Sequence, residues 1–191
     1  MNRISRTISV LLIVLSVSVL SFGQGKKQYY EAYIALGDTC FAHANYFGAH
    51  QAYEKALAYV DNPNIAFKCA EACRGYQNYP DAEKYYRIAI SEDSVTFHLA
   101  NYWFAEMLKL QGKYDSGEFA KLEDKVYEFA SKCGDQSYWL AKCYIVLGDG
   151  FREQGKTAQA KATWESIRDG YTPYEEGDDI IESVNQRIAA L

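Results

Sequence analysis

Long apolar runs are scarce in this chain. The longest, Ile8 to Leu20, covers thirteen residues and is interrupted by serines, short of the roughly 20 that a bilayer-spanning helix needs. Proline is scarce too. Pro63, Pro80 and Pro173 all stand where a helical period starts or stops, so no helix interior is broken. Histidine is limited to His43, His50 and His98. His43 and His50 flank the first turn without a clustered carboxylate. Cys40 and His43 are three residues apart, but two donors are too few for a closed zinc site. No nucleophile elbow, phosphate-cradling loop or Cys-x-x-Cys pair occurs. On these grounds no catalytic residue, no metal ligand and no cofactor is assigned, and the protein is read as not an enzyme.

A basic excess is also missing. The N-terminus reads as an export signal: Arg3 and Arg6, then the apolar stretch, then Ser21-Phe22-Gly23 with small residues where a signal peptidase reads. Cleavage after Gly23 leaves 168 residues with 18 basic and 25 acidic side chains, a net charge of −7. That charge argues against a nucleic-acid partner, and membrane association is expected only through a partner. The expected location is the periplasm. No cysteine lies near the cut, so no lipid anchor is expected there. The five cysteines are Cys40, Cys69, Cys73, Cys133 and Cys143, and an odd number leaves at least one thiol free. Three of them fall at core positions, where a thiol acts as a small hydrophobe. The best bridge candidate is Cys133 with Cys143. Cys69 and Cys73, one helical turn apart, suit a disulfide poorly.

What the chain does have is a pattern repeated four times. Small residues stand at Gly37, Ala70, Ala105 and Gly148. Leu36, Cys69, Phe104 and Leu147 precede them. Cys40, Cys73, Leu108 and Phe151 follow at three residues, and Tyr46, Tyr79, Tyr114 and Thr157 at nine. Then come Ala49, Ala82, Gly117 and Ala160, and in three copies an aromatic: Tyr53, Tyr86 or Trp164. Hydrophobic spacing predicts helices over 29–45 and 46–59, 63–77 and 80–91, 95–111 and 114–132, 137–154 and 157–170. The returning helix of the third pair departs from the pattern, with an apolar face of Phe119, Leu122, Val126, Tyr127 and Phe129. A last helix over 176–190 has Ile180, Ile181, Val184 and Ile188 inward and Glu182, Asn185, Gln186 and Arg187 outward, as a capping helix requires. Small residues let paired helices approach closely, and a lone pair leaves its outer faces wet, so the pairs must stack.

The segment YIVLGDGFREQGKTAQAKATWESIRDGYTP, residues 144–173, resembles a tetratricopeptide repeat, as do residues 30–63, 64–94 and, less closely, 98–130. The resemblance implies an all-α fold: a right-handed α-solenoid of about four helix pairs plus a C-terminal capping helix. The expected division is a signal peptide over 1–23, a short segment over 24–28, the solenoid over 29–173 and the cap over 174–191. It also implies a scaffold or adaptor that binds another envelope protein or peptide. AEACRGYQNYPDAEKYYRIAI followed by NYWFAEMLKLQGKYD is similar to repeat domains of periplasmic proteins in the type IX secretion and gliding apparatus of Gram-negative bacteria. The alternative function is therefore a structural part of a secretion or gliding assembly.

In such stacks the first helix of each pair lines the concave face. Three lines run along it: the acids Asp38, Glu71, Glu106 and Asp149; then Phe41, Arg74, Lys109 and Arg152; and the apolar line Ile34, Phe67, Tyr102 and Ile145. One reading is a groove for an extended or helical peptide. The other is that each acid pairs with the residue three further on in its own helix, worth roughly 0.2–0.5 kcal/mol per pair. Tyr102 and Trp103 are binding anchors if exposed and core if not. On the groove reading, exchanging Arg74 and Lys109 for Glu weakens capture of a partner without lowering the melting temperature.

Overall fold

The structure, a computed structural model, describes residues 25–90, 98–132, 137–173 and 178–191. The expected leader and cleavage site, and Cys133, lie outside the described residues. Nine helices are described: α1 (25–42), α2 (Tyr46–Leu57), α3 (Pro63–Gly75), α4 (Tyr79–Ala89), α5 (His98–Leu110), α6 (Gly117–Lys132), α7 (Ser137–Glu153), α8 (Thr157–Gly170) and α9 (Ile180–Ala189). No strand is found among the described residues. The first eight form four antiparallel pairs. α3 packs on α4 and α7 on α8; α2 packs on α3 and α4 on α5, which joins successive pairs; α5 also meets α7, and α8 meets α9.

The turn inside every pair is built the same way. Seven residues after each small residue the backbone is left-handed: Ala44 (φ 57°), Gln77 (φ 65°), Gly112 (φ 63°) and Gly155 (φ 73°). The next amide then donates back five residues, Asn45 to Cys40, Asn78 to Cys73 and Lys113 to Leu108 at 2.9 Å and Lys156 to Phe151 at 2.8 Å. This closes the first helix with a Schellman-type cap. Asn45 and Asn78 also cap the returning helices, their side chains accepting from the Gly48 and Asp81 amides. Asn62 caps α3 through the Asn64 and Ile65 amides, just ahead of Pro63.

The small residues have a steric cause. A Cβ on Gly37 would lie 2.5 Å from Cδ1 of Tyr53, and one on Gly148 would lie 2.7 Å from Cδ1 of Trp164. The aromatic of the returning helix thus rests on the backbone of its partner. Ala70 and Ala105 are fully buried in the same register. The core runs through all four pairs, with Tyr53, Tyr86, Phe104, Met107, Leu108, Phe119, Leu147 and Trp164 the largest residues sealed in it.

Three expectations are corrected. The third returning helix begins at Gly117 instead of 114. Ser116 holds the lengthened turn, donating to the Lys113 carbonyl and accepting from the Phe119 amide. Phe119, Leu122 and Val126 are buried as expected, but Tyr127 is 55% exposed, one position off that stripe. The side chain of Phe129 lies outside the described residues. Finally, Arg187 on α9 points inward. Ile180 and Val184 are sealed against the stack, Ile181 and Ile188 are half-buried, and the Arg187 guanidinium reaches Asp149 on α7.

At the opposite end, no helix pair among the described residues precedes α1 and α2. Tyr29, Leu36, Phe47, Tyr59 and Val60 are exposed there, and Cys40 is half-buried. Cys69, Cys73 and Cys143 are buried free thiols.

Candidate functional site

The concave face carries the three lines of residues named from sequence, but the structure divides it into two unlike halves. In the N-terminal half, Asp38, Phe41, Phe67 and Glu71 come together with Ala42, Tyr53 and Lys68 around an open groove of about 320 Å³ between α1 and α3. Phe41 and Phe67 give it apolar walls. The polar atoms are mostly held by one another. Tyr53 donates to Asp38 at 2.7 Å, and Lys68 bridges to the same Oδ1 at 2.7 Å. Tyr86 donates to Glu71, and Arg74 closes an ion pair with Glu71 at 2.6 Å. Ile34 is half-buried against the core nearby.

Arg74 marks the end of this groove. Its guanidinium lies 3.9 Å from the centre of the Trp103 ring on α5, a stacking that orders both side chains. Tyr102 and Trp103 are half-buried and pack on each other at 4.9 Å.

The C-terminal half is filled from within. Tyr102, Glu106 and Ile145 face Asp179, Ile180, Ser183 and Arg187 of α9 across a residual cavity of about 110 Å³. Asp149 is only 3% exposed. Lys109 reaches it at 3.0 Å and Arg187 at 2.8 Å. Ile145 is buried as well. Arg152 is exposed, paired with its neighbour Glu153 and lying over Trp164. Of the twelve residues named from sequence, four therefore line the open groove, while Ile145 and Asp149 are buried and Lys109 is half-buried between Glu106 and Asp149.

Electrostatics follow this division. Burial pushes the Asp38 carboxyl up, but Lys68 and Tyr53 outweigh it, and the group sits below the usual carboxylate range. Asp149 is shifted the same way: burial raises it, and hydrogen bonds from Arg187 and Lys109 outweigh burial and hold it below the usual range. Both are ionised at neutral pH and held by cations, an arrangement suited to orienting charge and not to proton transfer. Each acid does not simply pair along its own helix. Glu71 and Glu106 have partners three residues on, whereas Asp38 and Asp149 are held by cations of neighbouring helices.

One groove residue, Lys68, escaped the sequence reading. Lys68 and Trp103, the latter already named as a possible anchor, both lie two residues before a small residue, and each contacts the preceding pair: Lys68 meets Asp38, and Trp103 meets Arg74. That fourth line along the first helices was legible as a register. The second omission, His50 beside Cys69 and Cys73, joins residues on two helices that no local spacing connects.

No family model matches the chain, and no curated protein matches it in sequence. Solved structures do. The chain is similar to the crystal structure of MamA, with a TM-score of 0.60 and 17% identity over 85% of this chain and 90% of that one. It is also similar to PilF of Pseudomonas aeruginosa, with a TM-score of 0.55 and 19% identity over 87% of this chain and 72% of that one. Both are tetratricopeptide-repeat proteins, and the all-α helical-repeat fold expected from the four-fold pattern is the fold observed.

Proposed function

We propose that this chain, a solenoid of the tetratricopeptide-repeat type, is an exported, non-catalytic scaffold. It holds an extended or short helical segment of another cell-envelope protein in the groove between α1 and α3. The observation that carries this reading is the groove itself: Phe41 and Phe67 face open space, rimmed by Asp38, Lys68 and Glu71. Apolar walls bind side chains and a rim of both signs orients a backbone or a charged pair. Because α9 covers the other half of the concave face, recognition is concentrated here. Export is supported by the first 23 residues, and the division into leader, short segment, solenoid over 29–173 and cap over 174–191 belongs to the same reading. The net charge of −7 supports a protein partner over a nucleic acid.

The second reading, a permanent part of a secretion or gliding assembly, is favoured by one observation: the exposed apolar edge formed by Tyr29, Leu36, Tyr59 and Val60. An uncovered end of a solenoid is where a further layer would stack.

A photo-crosslinking amino acid placed at Phe41 or at Leu36 in the native cell separates the two. An adduct from Phe41 that disappears in Phe67→Ala supports the groove. An adduct from Leu36 alone, co-fractionating with a membrane complex, replaces that reading with the assembly. Adducts from neither position overturn both. Intact mass of the exported protein tests the leader: retention of Met1 would refute cleavage after Gly23.

A further inference from the structure

Behind the groove, the seam between α2 and α3 holds a cluster that the scaffold reading does not use. A ring nitrogen of His50 and the sulfurs of Cys69 and Cys73 all lie within 4.8 Å of one another. The two cysteines are fully buried and His50 is 8% exposed. Nδ1 of His50 is bonded to the Tyr76 hydroxyl at 2.7 Å, and that hydroxyl accepts from Asn78 at 3.1 Å. Nε2 is sealed from water with no hydrogen-bond partner, the only such side-chain atom among the described residues. The Cys69 thiol has a carbonyl contact at 3.9 Å, that of His50 itself. The same register of the other returning helices carries Glu83, Glu118 and Lys161. Glu83 is well supplied, with Arg87, Lys113 and Gln111 around it. His50 has no such partners.

We propose that His50, Cys69 and Cys73 form a buried binding site for a single thiophilic cation, Cu(I), coordinated by two sulfurs and one imidazole nitrogen. Soft sulfur donors suit Cu(I), as they suit zinc and iron–sulfur clusters, over hard cations. Structural zinc sites take four ligands, and the cluster offers three. Metal–sulfur bonds of about 2.3 Å and metal–nitrogen bonds of about 2.0 Å bring such donors to within roughly 4 Å of one another. Cys69 and Cys73, one turn apart on one helix, reach that spacing without a change of register. With the ion on Nε2, the Nδ1–H of His50 donates to the Tyr76 hydroxyl, which holds the ring as outer partners hold metal-bound histidines. The ion enters as Cu(I) and leaves as Cu(I), and the thiol protons it displaces pass to solvent.

The site is independent of the groove and is tested separately. The reduced protein is refolded anaerobically with Cu(I) buffered by a colorimetric Cu(I) chelator. The expected result is one copper per chain with an X-ray absorption shell of two sulfurs and one nitrogen. Cys69→Ala/Cys73→Ala should lose at least 100-fold in affinity, while Cys143→Ala, which removes a buried thiol elsewhere, keeps it. Failure of the native chain to take copper from the chelator overturns the proposal. So does undiminished uptake by the double variant, or displacement of the copper by equimolar Zn(II). Should the double variant not refold, the absorption shell of the native chain decides, and fewer than two sulfurs overturns the assignment.

Discussion

Arg187, on the last helix, spans 38 residues of sequence to place its Nε 2.8 Å from Oδ1 of Asp149. The same guanidinium also donates to the Ser183 hydroxyl at 2.5 Å. The contact fixes α9 over the concave face, and it supplies one of the two cations that allow Asp149 to be buried as a carboxylate. Removing one partner of a buried pair costs about 3–5 kcal/mol when the remaining charge is stranded. Here Lys109 remains, and a quarter of the Arg187 side chain is wet, so a loss of about 2 kcal/mol is expected for Arg187→Ala. Urea unfolding followed by far-UV circular dichroism measures it. An unchanged midpoint would show that α9 is held by its apolar face alone.

Asp149 also sets an acid limit. Its carboxyl titrates below the ordinary value of 3.8, because the gain from Arg187 and Lys109 outweighs burial. A depressed carboxylate contributes stability that is complete above the unfolded value and lost as pH falls through the folded one. Asp38 and Glu83 are shifted in the same direction. The native chain should therefore lose urea resistance below about pH 4, and Asp149→Asn should lose less between pH 6 and pH 3. Parallel pH profiles for the two proteins would contradict the burial of an ionised Asp149.

The repeat register was legible because it is local. Helix positions, the small residues and the aromatics that rest on them follow from spacing within one pair, and so does the turn signal, for asparagine and glycine fall where caps require them. The position of α9 was not legible. Its hydrophobic face is explicit in Ile180 and Val184, but nothing on the helix distinguishes an outward arginine from one aimed at an acid 38 residues away. The same holds for the groove. Asp38 and Lys68 are separated by 30 residues, and only the crossing of α1 and α3 makes them partners.

The four equivalent turns differ in chemistry. Gly112 and Gly155 adopt the left-handed backbone without strain, whereas Ala44 and Gln77 carry a Cβ there at a cost of roughly 1–2 kcal/mol. Gln77 is exposed, so Gln77→Gly removes the strain and no packed side chain. The expected gain is about 1 kcal/mol after the extra entropy of glycine in the unfolded chain is subtracted. For a chain of this size that raises the melting temperature by about 2–4 °C, readable by calorimetry. Gly155→Ala should shift it by a similar amount downward.

Gly148→Ala tests the close approach. Alanine is the better helix former by about 1 kcal/mol, and in open space the substitution would stabilise α7. Here the new methyl meets the indole of Trp164, which is sealed in the core, and overpacking of that kind costs about 1–3 kcal/mol. The net effect expected is a lower melting temperature with a blue-edge change in tryptophan fluorescence. A raised melting temperature would mean that α8 has room to withdraw.

Charge reversal on the concave face should separate structure from recognition. On the groove reading, exchanging Arg74 and Lys109 together for Glu is expected to leave stability intact. In the structure the Lys109 ammonium lies 3.6 Å from Glu106 and 3.0 Å from Asp149, so a carboxylate there would add a third negative charge beside two that are largely shielded from water. Lys109→Glu is expected to lower the melting temperature by several degrees and to tell nothing about binding. Lys68 is the better probe. Its side chain is 43% exposed and its partner Asp38 47% exposed, and exposed pairs contribute about 0.2–1 kcal/mol. Lys68→Glu should leave the melting temperature within about 2 °C while reversing the rim of the groove. Loss of the crosslink from Phe41 in a chain that melts normally would assign that rim to the partner, and retention of the crosslink would remove Lys68 from the recognition surface.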